Sequence, residues 1–296
     1  MNEAQPLHVP VLSAEVLHWL DPRPGRTLVD GTLGGGGHAR LLAERVGSEG
    51  LVIALDRDGR AIDAAESALG GLSVKLVQAN FCDLPDVLDS LGIPRVDGVL
   101  LDLGLSSDQL ADEARGFSFD SSGPLDLRFN PDEGEPAWQL LARIPEKELA
   151  DLIYQFGEER YSRRIARRIV ERRHDSSLRT AADLAALVRR CVPRSPRERI
   201  DPATRTFQAL RIAVNRELES LELALAHIPD RLTDGGQLAI ISFHSLEDRL
   251  VKQAFKGDPR LEPLTKKPIT AGDDEVQRNP RSRSAKLRVA RRVPRT

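Results

Sequence analysis

Over the first hundred residues, short apolar runs alternate with segments whose apolar positions recur every three or four residues. Thr27-Leu-Val-Asp30, Leu51–Leu55, Val74–Val77 and Val96–Leu103 are dominated by branched aliphatics, the pattern of strands buried on both faces. His38–Val46 has helical spacing and meets a stop at Gly47, and Ala61–Leu69 is also helical. Upstream, Ser13 stands where it can cap a helix that aligns Val16, Leu17 and Leu20. Strands and helices in strict alternation predict a parallel sheet covered on both faces.

The alternation stops near Asp112. From there to about Thr206 no strand pattern is found. A stretch rich in Gly, Pro and Asp (Gly116 to Gly134) leads into helical segments around Glu146–Phe156, Tyr161–Arg173 and Ala181–Val192. The sheet pattern then returns. Phe207, Leu210, Val214, Leu218, Leu221 and Leu225 predict one long amphipathic helix, Gln237–Ser242 a strand, and Ser284–Val293 a last strand. The expected organisation is a sheet domain made of 1–112 and 207–296, with an inserted all-helical domain at 113–206.

Composition narrows the partners. Net charge is −2, which argues against a generic polyanion binder, yet basic residues cluster. Seven arginines lie between Arg160 and Arg173, and seven basic residues with no acid lie between Arg281 and Arg295. Local basic patches on a near-neutral chain point to a shaped anionic partner more than to bulk electrostatics. Glu158, Glu159 and Glu171 can neutralise the first cluster. The tail has no acid nearby in sequence, so it is the stronger candidate for phosphate contact. Cys82 and Cys191 have neither redox nor ligand spacing, and the six histidines, His8 and His38 among them, show no metal-binding pattern. Neither a secretory h-region nor an apolar run of membrane length is present, so a soluble, cytoplasmic protein is expected.

Five motifs carry chemistry. Val29-Asp-Gly-Thr-Leu-Gly-Gly-Gly-Gly-His38 joins a strand to a helix, where backbone amides can approach a ligand closely. Gly34-x-Gly36-x-x-Ala39 also satisfies a loose dinucleotide fingerprint, so a nicotinamide or flavin oxidoreductase stays open at this point. Asp56 ends the second strand and can hold ribose hydroxyls; it can instead cap the following helix, a role Asp58 serves equally well. Phe81, after the third strand, can stack on an adenine or join the core. Asp102, in Leu100-Leu-Asp-Leu-Gly-Leu-Ser-Ser-Asp-Gln109, is a carboxyl beside an apolar run and needs a partner. His244 follows the strand Gln237–Ser242, where positioning is a commoner role for a histidine than general base. No catalytic residue follows from these patterns alone.

Taken in order, these motifs resemble the bacterial small-subunit ribosomal RNA (cytosine-N4) methyltransferases. The resemblance runs almost end to end. It includes His8-Val-Pro-Val-Leu12, Asp30–His38, Leu55-Asp-Arg-Asp58, Leu101–Ser107, Arg115-Gly-Phe-Ser-Phe119, Gly123-Pro-Leu-Asp-Leu-Arg128, Gly157-Glu-Glu-Arg160, Pro202–Gln208 and Ser242–Arg249. It implies a Rossmann-like class I methyltransferase fold, S-adenosylmethionine as cofactor and a cytidine in the decoding region of 16S rRNA as substrate. Carried over by motif, Gly36, Gly37 and His38 would lie against the cofactor, Asp56 would hold its ribose, and Phe81 would lie by the adenine. Asp102 and Gln109 would complete the pocket. Gly35 departs from the family, which has a basic or polar residue there. Amino-methyltransferases acting on DNA carry an Asp/Asn-Pro-Pro-aromatic loop after the fourth strand. Here the sequence is Asp102-Leu-Gly-Leu, so the acid is kept and the prolines are not. Phe117 or Phe119 is then a candidate to stack on an extruded base. A non-catalytic ribosome-associated factor that holds the cofactor structurally is the remaining alternative. Neither the oligomeric state nor the choice of naked RNA or assembled subunit follows from the sequence.

Overall fold

The computed structural model describes residues 9–175, 178–193 and 200–294. His8 and Arg295, both singled out by sequence, lie outside these. The elements are α1 (Ser13–Leu20), β1 (Thr27–Asp30), α2 (Gly37–Val46), β2 (Leu51–Asp56), α3 (Gly59–Ala68), β3 (Val74–Gln78), α4 (Leu84–Ser90) and β4 (Val96–Asp102). Then come α5 (Ser107–Ala111), α6 (Ala137–Arg143), α7 (Glu146–Gly157), α8 (Ser162–Asp175), α9 (Ala181–Cys191) and α10 (Thr204–Asn215). The chain continues through α11 (Glu217–His227), β5 (Leu232–Ser242), α12 (Ser245–Gly257), β6 (Leu261–Pro263), α13 (Asp273–Arg278) and β7 (Lys286–Arg292). The chain forms two compact units, 1–105 with 218–296, and 106–217.

The first unit holds a seven-stranded sheet in the order β3-β2-β1-β4-β5-β7-β6. β1 to β5 run parallel, while β7 pairs antiparallel with both β5 and β6. This is a Rossmann-like sheet with an antiparallel last pair, in keeping with the class I architecture that the sequence resemblance implies. Its faces follow from period-2 alternation. Val29, Ile53, Leu101 and Ile240 enter one core with Leu88, Leu225 and Phe255. Their strand neighbours Leu28, Val52, Leu100 and Ile241 enter the other with Val16 and Leu42. Strands buried on both sides must be apolar throughout, which is why they were legible. Parallel pairing also brings the C-terminal ends of β1, β2 and β4 to one rim, with Asp30 beside Ala54 and Leu100 in register.

The second unit is helical. α7 packs on both α8 and α10, and α8 packs on α9. Leu149, Ile153, Ile165, Ile169, Leu184, Val188, Phe207 and Leu210 fill its interior. Among the described residues its only β pairing is an isolated bridge, Pro124 to Thr180.

Several expectations need correction. Ser13 is the first residue of α1; Leu12, at φ 51°, precedes it and no side chain caps the helix. The predicted long helix is two, because Arg216 adopts φ 52° and its N–H closes on the Ile212 carbonyl, ending α10 before α11 begins. Apolar spacing survives that break, so periodicity alone could not reveal it. α10 falls within the unit 106–217, and residues 218–227 of α11 within the sheet unit. β5 begins at Leu232, before Gln237, with an irregularity opposite Val96–Gly98 that absorbs Asp234-Gly-Gly.

Candidate active site

The glycine loop leaves β1 beneath the rim. Gly31 cannot be replaced without movement: a Cβ there would lie 2.5 Å from Leu101 Cδ2 and 3.2 Å from Phe81 Cβ. Gly36 precedes α2 at φ 77°, a conformation that L side chains rarely adopt. The loop is pinned by the Leu33 N–H donating to the Leu55 carbonyl at 2.8 Å. The Gly34 N–H donates to Asp56 Oδ2 at 2.8 Å.

Asp56 therefore buttresses the loop. Its other oxygen, Oδ1, accepts from the Asp58 N–H at 2.9 Å, and Asp58 is the residue that caps α3. Each carboxylate oxygen has a second lone pair, so these bonds leave acceptor capacity for a ligand. Phe81 opens a short 3-10 turn and is half-buried against the core of Leu55, Leu84 and Leu101. One side of its environment is thus core.

Asp102 ends β4, where its N–H donates to Thr32 Oγ1 at 2.6 Å. Its Oδ2 lies 3.6 Å from His38 Nε2, and its Oδ1 is buried without a hydrogen-bond partner. Asp30 is fully buried; one oxygen accepts from the Thr32 N–H at 3.1 Å and Oδ2 has no partner. Burial, followed by the neighbouring Asp30 charge, pushes the Asp102 carboxyl up to about 8. Burial, opposed by the Thr32 N–H and reinforced by Asp56, pushes Asp30 up to about 7. Asp56 is also raised, chiefly by burial. Three crowded carboxyls favour a cationic ligand and disfavour a pyrophosphate.

The rim thus brings together Gly36, Gly37, His38, Asp56, Phe81 and Asp102. Gln109 belongs to the second unit, where it closes a capping box at the start of α5: the Ser106 N–H donates to Gln109 Oε1 and the Gln109 N–H to Ser106 Oγ, both at 3.1 Å. His244 is the residue before α12. Its Nδ1 accepts from the Glu247 N–H at 3.4 Å, and Glu247 Oε2 accepts from the Phe243 N–H at 2.9 Å. This is a positioning role. Sequence reasoning passed over Asp30 and Thr32, although Asp30 ends its strand just as Asp56 and Asp102 end theirs.

The basic patches divide differently from expectation. The tail arginines do meet acids, supplied by distant parts of the first unit. Arg288 donates to Asp248 at 2.6 Å and Arg291 to Glu262 at 2.6 Å, while buried Arg292 lies 3.8 Å from Asp230. On α8, Arg167 and Arg168 pair with Glu171 at 3.0 and 2.8 Å. Arg163 and Arg164 are exposed. The two candidate stacking rings are engaged inside the helical unit. Phe117 is buried with its centroid 6.0 Å from that of Phe129, and Phe119 meets Phe207 edge-on at 4.9 Å. No described helix is long and apolar enough to cross a membrane.

A sequence model described as the MraW methylase family matches residues 5–293. A ribosomal RNA small subunit methyltransferase H of Rhodopirellula baltica is 50% identical over 303 residues, covering 99% of this chain and 93% of the relative. The protein of that name from Sorangium cellulosum is 52% identical over 288 residues, covering 97% and 91%. Among solved structures, an rRNA methylase from Streptococcus thermophilus aligns with a TM-score of 0.44 at 12% identity, covering 99% of this chain and 100% of that one. The chain belongs to the MraW methylase family, a family of S-adenosylmethionine-dependent methyltransferases.

Proposed function

We propose that the protein methylates the exocyclic N4 of a cytidine in the decoding region of 16S rRNA, in the cytoplasm and on the small ribosomal subunit. Relatives at about half identity over nearly their whole length carry the name of a small-subunit rRNA methyltransferase. The observation that carries the choice of an amine is Asp102, a half-buried carboxyl at the end of β4 whose buried Oδ1 lacks any hydrogen-bond partner.

S-adenosylmethionine, when bound, supplies an electrophilic methyl group on a sulfonium. The backbone of Gly36, Gly37 and His38 would hold it at the start of α2, Asp56 would take the ribose hydroxyls, and Phe81 would flank the adenine. Asp30, Asp56 and Asp102 together attract its positive charge. A cytosine amine is a weak nucleophile because its lone pair is delocalised into the ring. Asp102 Oδ1 accepts a hydrogen bond from that amine, which localises the lone pair and orients it, and most of the acceleration comes from such positioning. Burial of this carboxyl makes it a better proton acceptor than an ordinary aspartate.

The test is tritiated methyl transfer to small subunits purified from cells lacking the gene, followed by mass-spectrometric mapping. Label on N4 of one cytidine in the decoding region is the expected result. Label at a ring carbon or a ribose oxygen, or none at all, overturns the reading.

A further inference from the structure

Methylating an amine releases a proton, and Asp102 alone has nowhere to send it. His38 is the second residue of α2, and its side chain is only 6% exposed. The imidazole is turned toward the rim, with Nε2 3.6 Å from Asp102 Oδ2. A histidine buried beside a carboxyl is an unusual choice for a helix that needs only apolar packing there, since either group must share a charge or a proton to remain. Thr32 fixes the Asp102 backbone through its Oγ1, so the carboxyl is anchored with Oδ2 toward the imidazole and Oδ1 unpartnered.

We propose that His38 and Asp102 are a proton-sharing pair, in which the imidazole orients the carboxyl through Oδ2 and takes over the proton that the carboxyl accepts from the substrate amine. The existence of the pair stands on the geometry of the protein; its part in turnover rests on the amine-methylation reading above. Forming the nitrogen–carbon bond leaves a positive charge on the base, and breaking one N–H bond removes it. In the form in which the pair has released its own proton, reached near pH 8, the amine proton first makes Asp102 a neutral acid. Its transfer to His38 Nε2 gives an imidazolium beside a regenerated carboxylate, and the imidazolium returns the proton to solvent. His38 acts through Asp102 and is a positioning residue.

The groups facing the pair suit this exchange. Asp30 from β1 and Glu247 from α12 add negative charge, Arg281 from the turn before β7 opposes them, and Asp56 from β2 acts on Asp30. With burial, the balance holds the Asp102 proton until about pH 8. A carboxyl in that range and an imidazole have similar proton affinities, so a proton moves between them with little free-energy change.

The imidazole signals of the full-length protein, titrated by NMR without cofactor and assigned with His38→Gln, test the pair. In Asp102→Asn the midpoint near pH 8 that the His38 signals report should disappear, because the carboxyl that releases its proton there is gone. An unchanged midpoint overturns the pair. In turnover, His38→Gln should lower kcat roughly 10- to 100-fold and remove one limb of the pH–kcat profile. Cofactor Kd is followed separately by calorimetry, because His38 also lies in the proposed cofactor loop. A wild-type pH profile in His38→Gln overturns the relay, as does a loss confined to Kd. If the wild-type protein methylates no small subunits, the substrate reading fails, while the NMR titration still decides the pair.

Discussion

Buried charge occurs in two parts of the sheet unit, and the two are built on opposite plans. Along β7 each arginine faces an acid: buried Arg288 faces Asp248, exposed Arg291 faces Glu262 and buried Arg292 lies 3.8 Å from Asp230. At the rim of β1, β2 and β4, like charges crowd. Asp56 raises the proton affinity of Asp30 and Asp30 that of Asp102, and two of the carboxylate oxygens, Asp30 Oδ2 and Asp102 Oδ1, have no hydrogen bond. Alternating charge serves the fold. Crowded like charge costs stability and persists where a ligand or a reaction uses it. Three of the tail's seven basic residues, Arg288, Arg291 and Arg292, thus face acids of the fold, while the rim is the proposed seat of the chemistry.

The sharpest way to break this contrast is Asp102→Asn. If the carboxyl accepts the amine hydrogen, methyl transfer should fall by at least about 100-fold, measured as initial rate on small subunits. The same substitution should stabilise the protein. A raised carboxyl pKa means that the folded state binds protons more tightly than the unfolded state. Stability is then highest below the unfolded value of about 4 and falls as pH rises through about 8. The melting temperature of the wild type should decline across that window. Asp102→Asn should flatten the decline and melt roughly 5 °C higher at pH 8.5. Lower activity together with a lower melting temperature at that pH would place Asp102 on the same plan as the tail.

Arg288→Ala tests the other plan. It leaves Asp248 half-buried without its cation, at a cost of about 3 kcal/mol, read as a lower denaturant midpoint. Methyl transfer by the protein that remains folded should be within about twofold of wild type. Gly31→Ala should cost less, about 2 kcal/mol, because Leu101 and Phe81 must move to admit a methyl group. Unlike Arg288→Ala, it should also weaken cofactor binding in calorimetry, since Phe81 lines the proposed site.

The sequence made the sheet legible because strands buried on both faces are apolar throughout, and β1 was located residue for residue. It made Asp56 and Asp102 legible because an acid ending such a run stands out. It did not reveal β6, which has three residues, or the break at Arg216, where apolar spacing continues across a left-handed residue. Charge pairing was the least legible feature. Asp248 lies 40 residues from Arg288 in the chain, and only the fold brings them within 2.6 Å. Local acids were visible for α8, so Glu171 was a foreseeable partner; those for β7 were not. His38 was named through its neighbours in the loop, and nothing in the spacing indicated that its side chain would face Asp102.

The smallest expected effect concerns the arginines that the fold leaves exposed. On α8, Arg167 and Arg168 share Glu171, whereas Arg163 and Arg164 have no ion pair with any described residue. If the helical unit contacts rRNA phosphates through this face, Arg163→Ala with Arg164→Ala should flatten the slope of log K against log salt by roughly 1 to 2. Stability should change by less than about 0.5 kcal/mol, because exposed side chains without partners contribute little. Arg291→Ala, which breaks an exposed pair with Glu262, should leave the salt slope unchanged. Equal slopes for wild type and the α8 double variant would make that face a solvated one. The contrast between paired and unpaired arginines would then carry no information about RNA.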